Sequence, residues 1–407
     1  MESGRQNKVK MSIVKDVYSS VASFINEFSK EKCRIECAGL GGSEQAYLIS
    51  KINMELKAPV LVILDTGING ERFVEDLKFF AKNIAGRVLW FPDYSIMPVK
   101  TVSYNNEIEA ARIRTLFQLS QNAESPIVVA TVYSIMKRLV PRQELTNFAE
   151  LVIPGEDIDL NVLIEKMISG GYERTGIVEE PGDFCMRGGI IDIFSPLYKD
   201  PLRIELFGDT VESINFFSAL TQRKIKPINE AIIIPSRETI LLNGSITQIV
   251  ARIREQAAVL EIPVTKTREI IEQISKEKTL PGIENLIPLI YEKQDTLLDY
   301  LPENMVSVQI EPEKLNEAAY NCEVLAQKNY SIACEEKRLC IELSKLYANW
   351  DVIRGNLNNG KSLFFNPFKV LKPEDENSQN LTSYEFKVED NAGLIQNLKK
   401  KIGRAHV

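Results

Sequence analysis

Histidine is almost absent from this chain of 407 residues: the single one is His406, next to the last residue. Ser-His and Cys-His nucleophiles, and most catalytic zinc sites, need a histidine inside the fold. The six cysteines form no Cys-x-x-Cys pair, which argues against a zinc ribbon or a dithiol redox motif. We therefore expect no catalytic residue and no metal site, and we interpret the cysteines as reduced, buried thiols.

Long apolar runs and an excess of positive charge are also missing. The chain has no apolar stretch long enough for a membrane span, and its first residues lack the hydrophobic segment of a secretory signal. We therefore expect a cytoplasmic protein. The net charge of −7 argues against a large nucleic-acid footprint, because duplex binding depends on neutralising phosphates. A non-catalytic DNA clamp remains a weaker hypothesis.

Residues 1–150 alternate between apolar strands and helical patterns. Strands are predicted at 33–37, 59–64, 87–91 and 127–130, with helices between them. This alternation predicts a parallel sheet with helices on its faces.

Residues 151–238 have a different pattern, in which short runs of alternating polar and apolar residues are interrupted by turn residues such as Gly188-Gly189 and Gly208-Asp209. Leu202 and Ile204 fall on one face of a predicted strand, and Arg203 and Glu205 on the other. The pattern predicts a compact, mainly antiparallel β unit with one apolar and one polar face.

Residues 239–390 predict a second mixed region. It has a strand at 306–310, then helices at 315–322 and 335–347 that flank a further strand, and a polar, turn-rich linker after Phe364. Residues 391–407 are predicted to start another domain. We interpret the last residues, KIGRAHV, as foreign sequence on a truncated chain, with a basic tail as the alternative.

Three stretches carry a resemblance to a known family. The segment GYERTGIVEEPGDFCMRGGIIDIFS, with RIELFGDTVESI after it, resembles the UvrA-contacting domain shared by UvrB and the bacterial transcription-repair coupling factors. FPDYSIMPVKTVSYNNE and LPGIENLIPLIYEKQDTLLDYLPENM extend the likeness. It implies three UvrB-like domains, 1a (1–150), 2 (151–238) and 1b (239–390). The implied fold class is α/β: a degenerate P-loop-type parallel domain with an inserted antiparallel β domain.

The passage around Gly39, Gly41, Gly42 and Ser43 has the strand–glycine–helix order of a phosphate-binding loop. Where an active loop has Gly-Lys-Thr or Gly-Lys-Ser, this chain has Gly-Ser-Glu-Gln, and Glu44 puts negative charge where phosphates would lie. We predict a degenerate loop that binds no nucleotide. UvrB keeps a working loop here, so the departure favours the coupling factors.

A second passage, Gly355–Ser362, matches Gly-x4-Gly-Lys-Ser letter for letter. A phosphate loop must open a helix, but Pro367 follows within a few residues, so we interpret the match as a coincidental exposed turn. The alternative is an active nucleotide loop. The long Tyr-rich hairpin of UvrB is also missing: only Tyr94 and Tyr104 occur in that region, and we expect both to pack locally.

The resemblance also implies a function. Within the family this domain contacts UvrA, so the chain is predicted to be a UvrA-recruiting adaptor in transcription-coupled nucleotide excision repair, without ATPase activity. The family is implied to bind RNA polymerase and double-stranded DNA, and to use ATP and Mg, through domains beyond this chain. The alternative is an ATP-binding UvrB-type helicase subunit of the excision nuclease. The predicted UvrA-contacting residues are Arg174, Arg187, Phe184, Arg203, Glu205 and Phe207. For the charged residues the alternative role is to solvate an exposed face, and for the two phenylalanines it is core packing.

Overall fold

The computed structural model describes residues 24–26, 28–29, 33–94, 106–121, 123–367 and, for the backbone, 381–385. Its largest sheet has seven strands in the order β15-β1-β14-β13-β2-β4-β3, and every pair in it is parallel. The strands are β1 Arg34–Ala38, β2 Val60–Leu64, β3 Val88–Phe91, β4 Ile127–Thr131, β13 Val306–Ile310, β14 Lys361–Asn366 and β15 Leu381–Glu385.

Helices cover both faces of this sheet, which is why strands β2 and β4 are almost entirely apolar. All five residues of β2 and all five of β4 are buried. The helices are α1 Ser43–Leu56, α2 Gly70–Phe80, α3 Asn106–Ser120, α4 Val132–Met136, α5 Arg142–Phe148, α6 Leu160–Ser169, α7 Ile246–Val259, α8 Val264–Glu272, α9 Ile287–Ile290, α10 Leu297–Tyr300, α11 Pro312–Glu335, α12 Leu343–Leu346 and α13 Trp350–Asn358. No helix among the described residues is both long enough and apolar enough to cross a membrane.

The middle of the chain forms a second sheet of six strands in the order β11-β10-β9-β8-β7-β6. All of its pairs are antiparallel except the short β6–β7 pair. These strands are β6 Glu173–Arg174, β7 Asp183–Arg187, β8 Ile190–Ile193, β9 Leu202–Phe207, β10 Thr210–Phe217 and β11 Lys224–Ile228. The expected α/β fold, with a parallel sheet and a separate, mainly antiparallel one, is confirmed.

Two short strands connect the β unit to the rest of the molecule. The strand β5, Glu150–Val152, precedes the six-stranded sheet and β12, Ala231–Ile233, follows it, and the two pair antiparallel with each other. The chain therefore enters and leaves the β unit through neighbouring, hydrogen-bonded strands.

The secondary structure predicted near the C-terminal side was partly wrong. The helix expected at 315–322 is part of the 24-residue helix α11, which continues to Glu335, so residues 323–334 are helical where a strand was expected. Of the helix expected at 335–347, only the four-residue α12 forms. Residues 361–366 form strand β14 of the parallel sheet rather than an exposed turn. The strand β15 was not predicted; it begins directly after the segment expected to be a linker, whose polar run ends at residue 380. The predicted further domain at 391–407 lies outside the described residues.

Candidate functional site

The outer face of the six-stranded sheet is exposed near its hairpin ends, where it carries Arg187. The strand register places Arg187 opposite Ile190, and Ile190 opposite Glu205, so the three side chains form one row on that face. Arg187 and Ile190 are exposed, and Glu205 is half-buried. Arg187 Nη2 donates to the carbonyl of Gly176, which fixes its guanidinium while leaving the side chain exposed. A cation and an aliphatic side chain are therefore presented side by side.

Phe207 extends this row at the end of β9, two residues beyond Glu205 and therefore on the same face. Its side chain is 81% exposed. The two-residue turn that follows needs the positive φ of Gly208, at 65°, and it sets Phe207 opposite Thr210. The Phe207 ring therefore adds exposed apolar area to the same face as Arg187 and Ile190.

Glu205 is held within the sheet by its own neighbours. Its carboxylate accepts a hydrogen bond from Ser213 Oγ at 2.6 Å and pairs with Lys224 Nζ at 2.7 Å. The hydrogen bond from Lys224 and then that from Ser213 lower the pKa of Glu205, which keeps the group ionised. Glu205 thus gives the surface a fixed negative charge beside the exposed Arg187.

Arg203 shares the outer face but is already paired. Its guanidinium makes a bidentate contact with Asp192, at 2.7 and 2.8 Å, and lies 4.6 Å from the ring centroid of Phe217. The side chain is only 18% exposed. Arg203 therefore stabilises the sheet across β8 and β9 and offers few free donors to a partner.

Two of the other predicted contact residues lie elsewhere. Phe184 is fully buried in the core on the inner face of the sheet, with Ile191 and Ile204, so its ring is a packing residue in this structure. Arg174 is exposed, but the register pairs it with Phe184, which places it on the side opposite Arg187. The structure therefore brings Arg187, Glu205 and Phe207 together and separates Arg174 and Phe184 from them.

Ile190 is the member of the surface that the sequence analysis missed. Gly188 and Gly189 form a two-residue turn, and such a turn sets the residue before it opposite the residue after it. Reading the Arg-Gly-Gly-Ile motif as a tight hairpin would have predicted that Ile190 faces Arg187. We name the exposed set Arg187, Ile190 and Phe207 the outer-face triad.

The first glycine passage keeps the outline of a phosphate loop, but its own side chains occupy it. Glu44, in the first turn of α1, accepts a hydrogen bond from the Gly41 amide through Oε2 at 3.2 Å. Ser43 Oγ, in the place of the hydroxyl that would face a metal, donates to Asp76 at 2.7 Å. A carboxylate thus lies where phosphate oxygens would need backbone N–H groups, so these residues do not fit a nucleotide.

The second passage has the reverse order of elements. Gly355 lies within helix α13, and Lys361 and Ser362 begin strand β14, so the motif runs from helix to strand. Ser362 is fully buried and its hydroxyl donates to the Leu357 carbonyl at 2.9 Å. The prediction of an exposed turn was wrong at Ser362. No helix N-terminus is available here to hold a phosphate.

Tyr94 packs locally, as expected, in a buried charged cluster beneath the β unit; Tyr104 lies outside the described residues. The Tyr94 hydroxyl donates to Glu238 at 2.9 Å, and Arg112 Nε donates to the same oxygen at 2.6 Å. Lys137 Nζ lies 4.1 Å from the Tyr94 ring centroid. Burial, together with the nearby Arg112 charge, lowers the pKa of Lys137 to about 8. The cluster joins α3, the segment after β12 and the end of α4.

A parallel α/β domain that carries an inserted, mainly antiparallel sheet is consistent with the architecture of a UvrB-like module. In agreement with this, residues 152–238 match the family model of the UvrB interaction domain. The similar curated proteins are transcription-repair-coupling factors. That of Myxococcus xanthus is 28% identical over 329 residues, covering 78% of this chain and 27% of the relative.

Two further relatives give the same result. The factor of Bacillus subtilis is 29% identical over 312 residues, covering 74% of this chain and 26% of the relative. The factor of Haemophilus influenzae is 28% identical over 283 residues, covering 70% of this chain and 24% of the relative. The resemblance to transcription-repair-coupling factors is therefore confirmed, and the chain spans about a quarter of the length of these relatives.

Proposed function

We propose that this chain is the UvrA-recruiting module of a transcription-repair-coupling factor, and that it acts in transcription-coupled nucleotide excision repair without ATPase activity of its own. The observation that carries the proposal is the outer-face triad, which lies within the residues that match the UvrB interaction domain. In this proposal, RNA polymerase, double-stranded DNA, and ATP with Mg are bound by other parts of the longer protein.

The chemistry of the triad supports binding to a protein partner. Arginine supplies a planar fork of donors for a partner carboxylate, and a neighbouring aromatic ring supplies apolar area that is desolvated on contact. Arg187 is held by the Gly176 carbonyl, so little of its side-chain freedom is lost on binding, and the tight turn at Gly208 fixes the backbone that carries Phe207. Arg203 and Glu205 contribute by holding the strands in register rather than by contacting the partner.

The test is direct binding of UvrA to the Arg187→Glu and Phe207→Ala variants. We expect Arg187→Glu to weaken binding by about 2–5 kcal/mol, since it places like charge against the partner's acidic group. Isothermal titration calorimetry with purified UvrA measures the change, and circular dichroism checks the fold.

Arg254→Glu is the matched control. Arg254 is also exposed but lies on α7, outside the six-stranded sheet, and its replacement makes the same change in charge. Wild-type binding by Arg187→Glu would reject the triad as the contact surface. Failure of the wild-type chain to bind UvrA at all would reject the proposed function itself.

A further inference from the structure

Cys334 and Cys340 lie together at the C-terminal end of the long helix α11. Their sulfur atoms are 3.5 Å apart, in van der Waals contact. A disulfide bond is about 2.05 Å long, so closure requires the two sulfur atoms to approach each other by about 1.5 Å. Among the described residues, no other two of the six cysteines have their sulfur atoms in contact.

The backbone between the two cysteines already reverses direction. Lys337 adopts the left-handed conformation, with φ 50°, and its amide donates to the Cys334 carbonyl at 3.0 Å. The Arg338 amide donates to the Ala333 carbonyl at 2.9 Å, which completes a Schellman-type helix end. This turn returns the chain beneath the helix and holds Cys340 against the side of Cys334.

The two thiols differ in exposure. Cys334 is half-buried, whereas Cys340 is 2% exposed and packs with Ala333 and Leu343. The Cys340 carbonyl accepts a hydrogen bond from Gln256 at 2.8 Å, which fixes its backbone. Burial raises the pKa of the Cys340 thiol to about 12, so its thiolate is scarce near neutral pH. An oxidant therefore meets Cys334 first, with Cys340 in place as the resolving thiol.

We propose that Cys334 and Cys340 form a peroxide-sensitive thiol pair that closes to an intramolecular disulfide. In the first step the Cys334 sulfur attacks hydrogen peroxide, the O–O bond breaks, and a sulfenic acid and one water are formed. In the second step the Cys340 sulfur attacks the Cys334 sulfur, and the hydroxyl leaves with the Cys340 proton as a second water. Two thiols are oxidised by two electrons, and one peroxide is reduced to two waters.

Closure would change the wall of a nearby cavity. A cavity of about 300 Å³ lies beside Cys340, lined mainly by apolar side chains that include Ile262, Ile270, Leu280 and Leu286. Arg338 and Leu339 line it as well, between the two cysteines. A disulfide would tie this wall to the last turn of α11, so its movement would be restricted.

The experiment is peptide mapping after peroxide treatment of the dilute, folded chain. Trypsin cleaves after Lys328, Lys337, Arg338 and Lys345, so the two cysteines fall on separate peptides unless a disulfide links them. We expect one linked peptide pair of residues 329–337 and 339–345, and a fall in free thiols from six to four because one bridge consumes two. Reduction by dithiothreitol should restore both values.

Cys334→Ser should abolish the linked pair, and Cys322→Ser, which removes a buried thiol on the same helix, should leave it intact. The main result is obtained with the wild-type chain, so it does not depend on whether a variant folds. Three results would overturn the proposal: unlinked peptides after treatment, Cys334 found as a sulfinic acid with Cys340 still reduced, or a disulfide between two molecules.

Discussion

Arg112 is the largest of the fully buried side chains in the described part of the chain. Its guanidinium pairs with Glu238 at 2.6 Å and donates to the Pro92 carbonyl at 2.7 Å. It also lies 4.1 Å from the ring centroid of Phe91 and 4.2 Å from that of Tyr94. A buried charge is tolerated only with partners of this kind, since the cost of removing it from water is several kcal/mol.

We predict that Arg112→Met destabilises the chain by about 3–5 kcal/mol, because it leaves the Glu238 carboxylate buried without its cation. Urea unfolding followed by circular dichroism gives the change in the free energy of unfolding.

Arg87→Met is the control, since the Arg87–Glu124 pair has a similar distance of 2.8 Å but exposed side chains. We expect it to change stability by no more than about 1 kcal/mol. Equal losses in both variants would show that burial of the Arg112 pair does not matter.

Sequence alternation predicted which face of β9 is apolar, but not the partners of individual side chains. It placed Leu202 and Ile204 inward and Arg203 and Glu205 outward, which is confirmed by their burial. Whether an outward arginine is free depends on the neighbouring strand, and Asp192 lies opposite Arg203 only because of the β8–β9 register. That register comes from turn geometry and core packing, which alternation within one strand does not contain.

At the scale of elements, the two glycine passages show that the order of strand and helix decides phosphate binding more than a match to the sequence motif does. The first runs from β1 into α1 but has an acidic side chain in the loop, and the second has the letters Gly-Lys-Ser but runs from α13 into β14. Phosphate binding needs both the helix N-terminus and the unoccupied N–H groups.

We therefore predict that the chain does not bind ATP at physiological concentrations. Fluorescence titration with a labelled ATP analogue and Mg²⁺ should show no saturable signal, for the wild type and for Lys361→Ala alike. Saturable binding that Lys361→Ala removes would support the UvrB-type helicase alternative. Binding that Glu44→Ala enhances would show that the first loop can hold a nucleotide once the Glu44 carboxylate is removed. Ser43→Ala is the control for the neighbouring hydroxyl, which here bonds Asp76.

Elements were predicted well where one periodicity extends over the whole element. The strand predicted at 306–310 has the expected bounds. The second half of helix α11 was predicted as a strand because polar outer residues interrupt the apolar pattern, although Leu315, Ala319, Cys322 and Ala326 continue one buried face. The strand β14 was hidden by the Gly-Lys-Ser match, and only its pairing with β1 and β13 identifies it.

At the scale of the molecule, a second part of the buried cluster connects residues that lie far apart in the chain. Glu109 of α3 lies close to Glu284, and Arg237, just beyond β12, lies 3.8 Å from the Glu109 carboxyl. Burial is the main cause that raises the pKa of Glu109 well above its ordinary value, and the neighbouring Glu284 charge adds to the effect. Burial also raises the pKa of Glu284.

We predict that this pair makes stability depend on pH. A raised pKa in the folded state means that the folded chain holds a proton that the unfolded chain releases, so the free energy of unfolding falls as pH rises through that window. Glu109→Gln never ionises and should lose less stability than the wild type between about pH 5 and about pH 8. Urea midpoints at both pH values measure this.

Glu303→Gln, at an exposed position, should follow the wild-type profile and serves as the control. Parallel profiles for Glu109→Gln and the wild type would contradict the prediction.

The antiparallel β5–β12 pair has a mechanical consequence. A domain that is connected through one strand can rotate about that strand, whereas a domain connected through two hydrogen-bonded strands resists rotation. The Arg112–Glu238 pair adds a third point of attachment close to those strands. A protein that binds the hairpin at Phe207 would therefore keep a fixed orientation relative to the seven-stranded sheet. Force applied to that protein would be transmitted to the seven-stranded sheet, because the connection between the two sheets is not a flexible hinge.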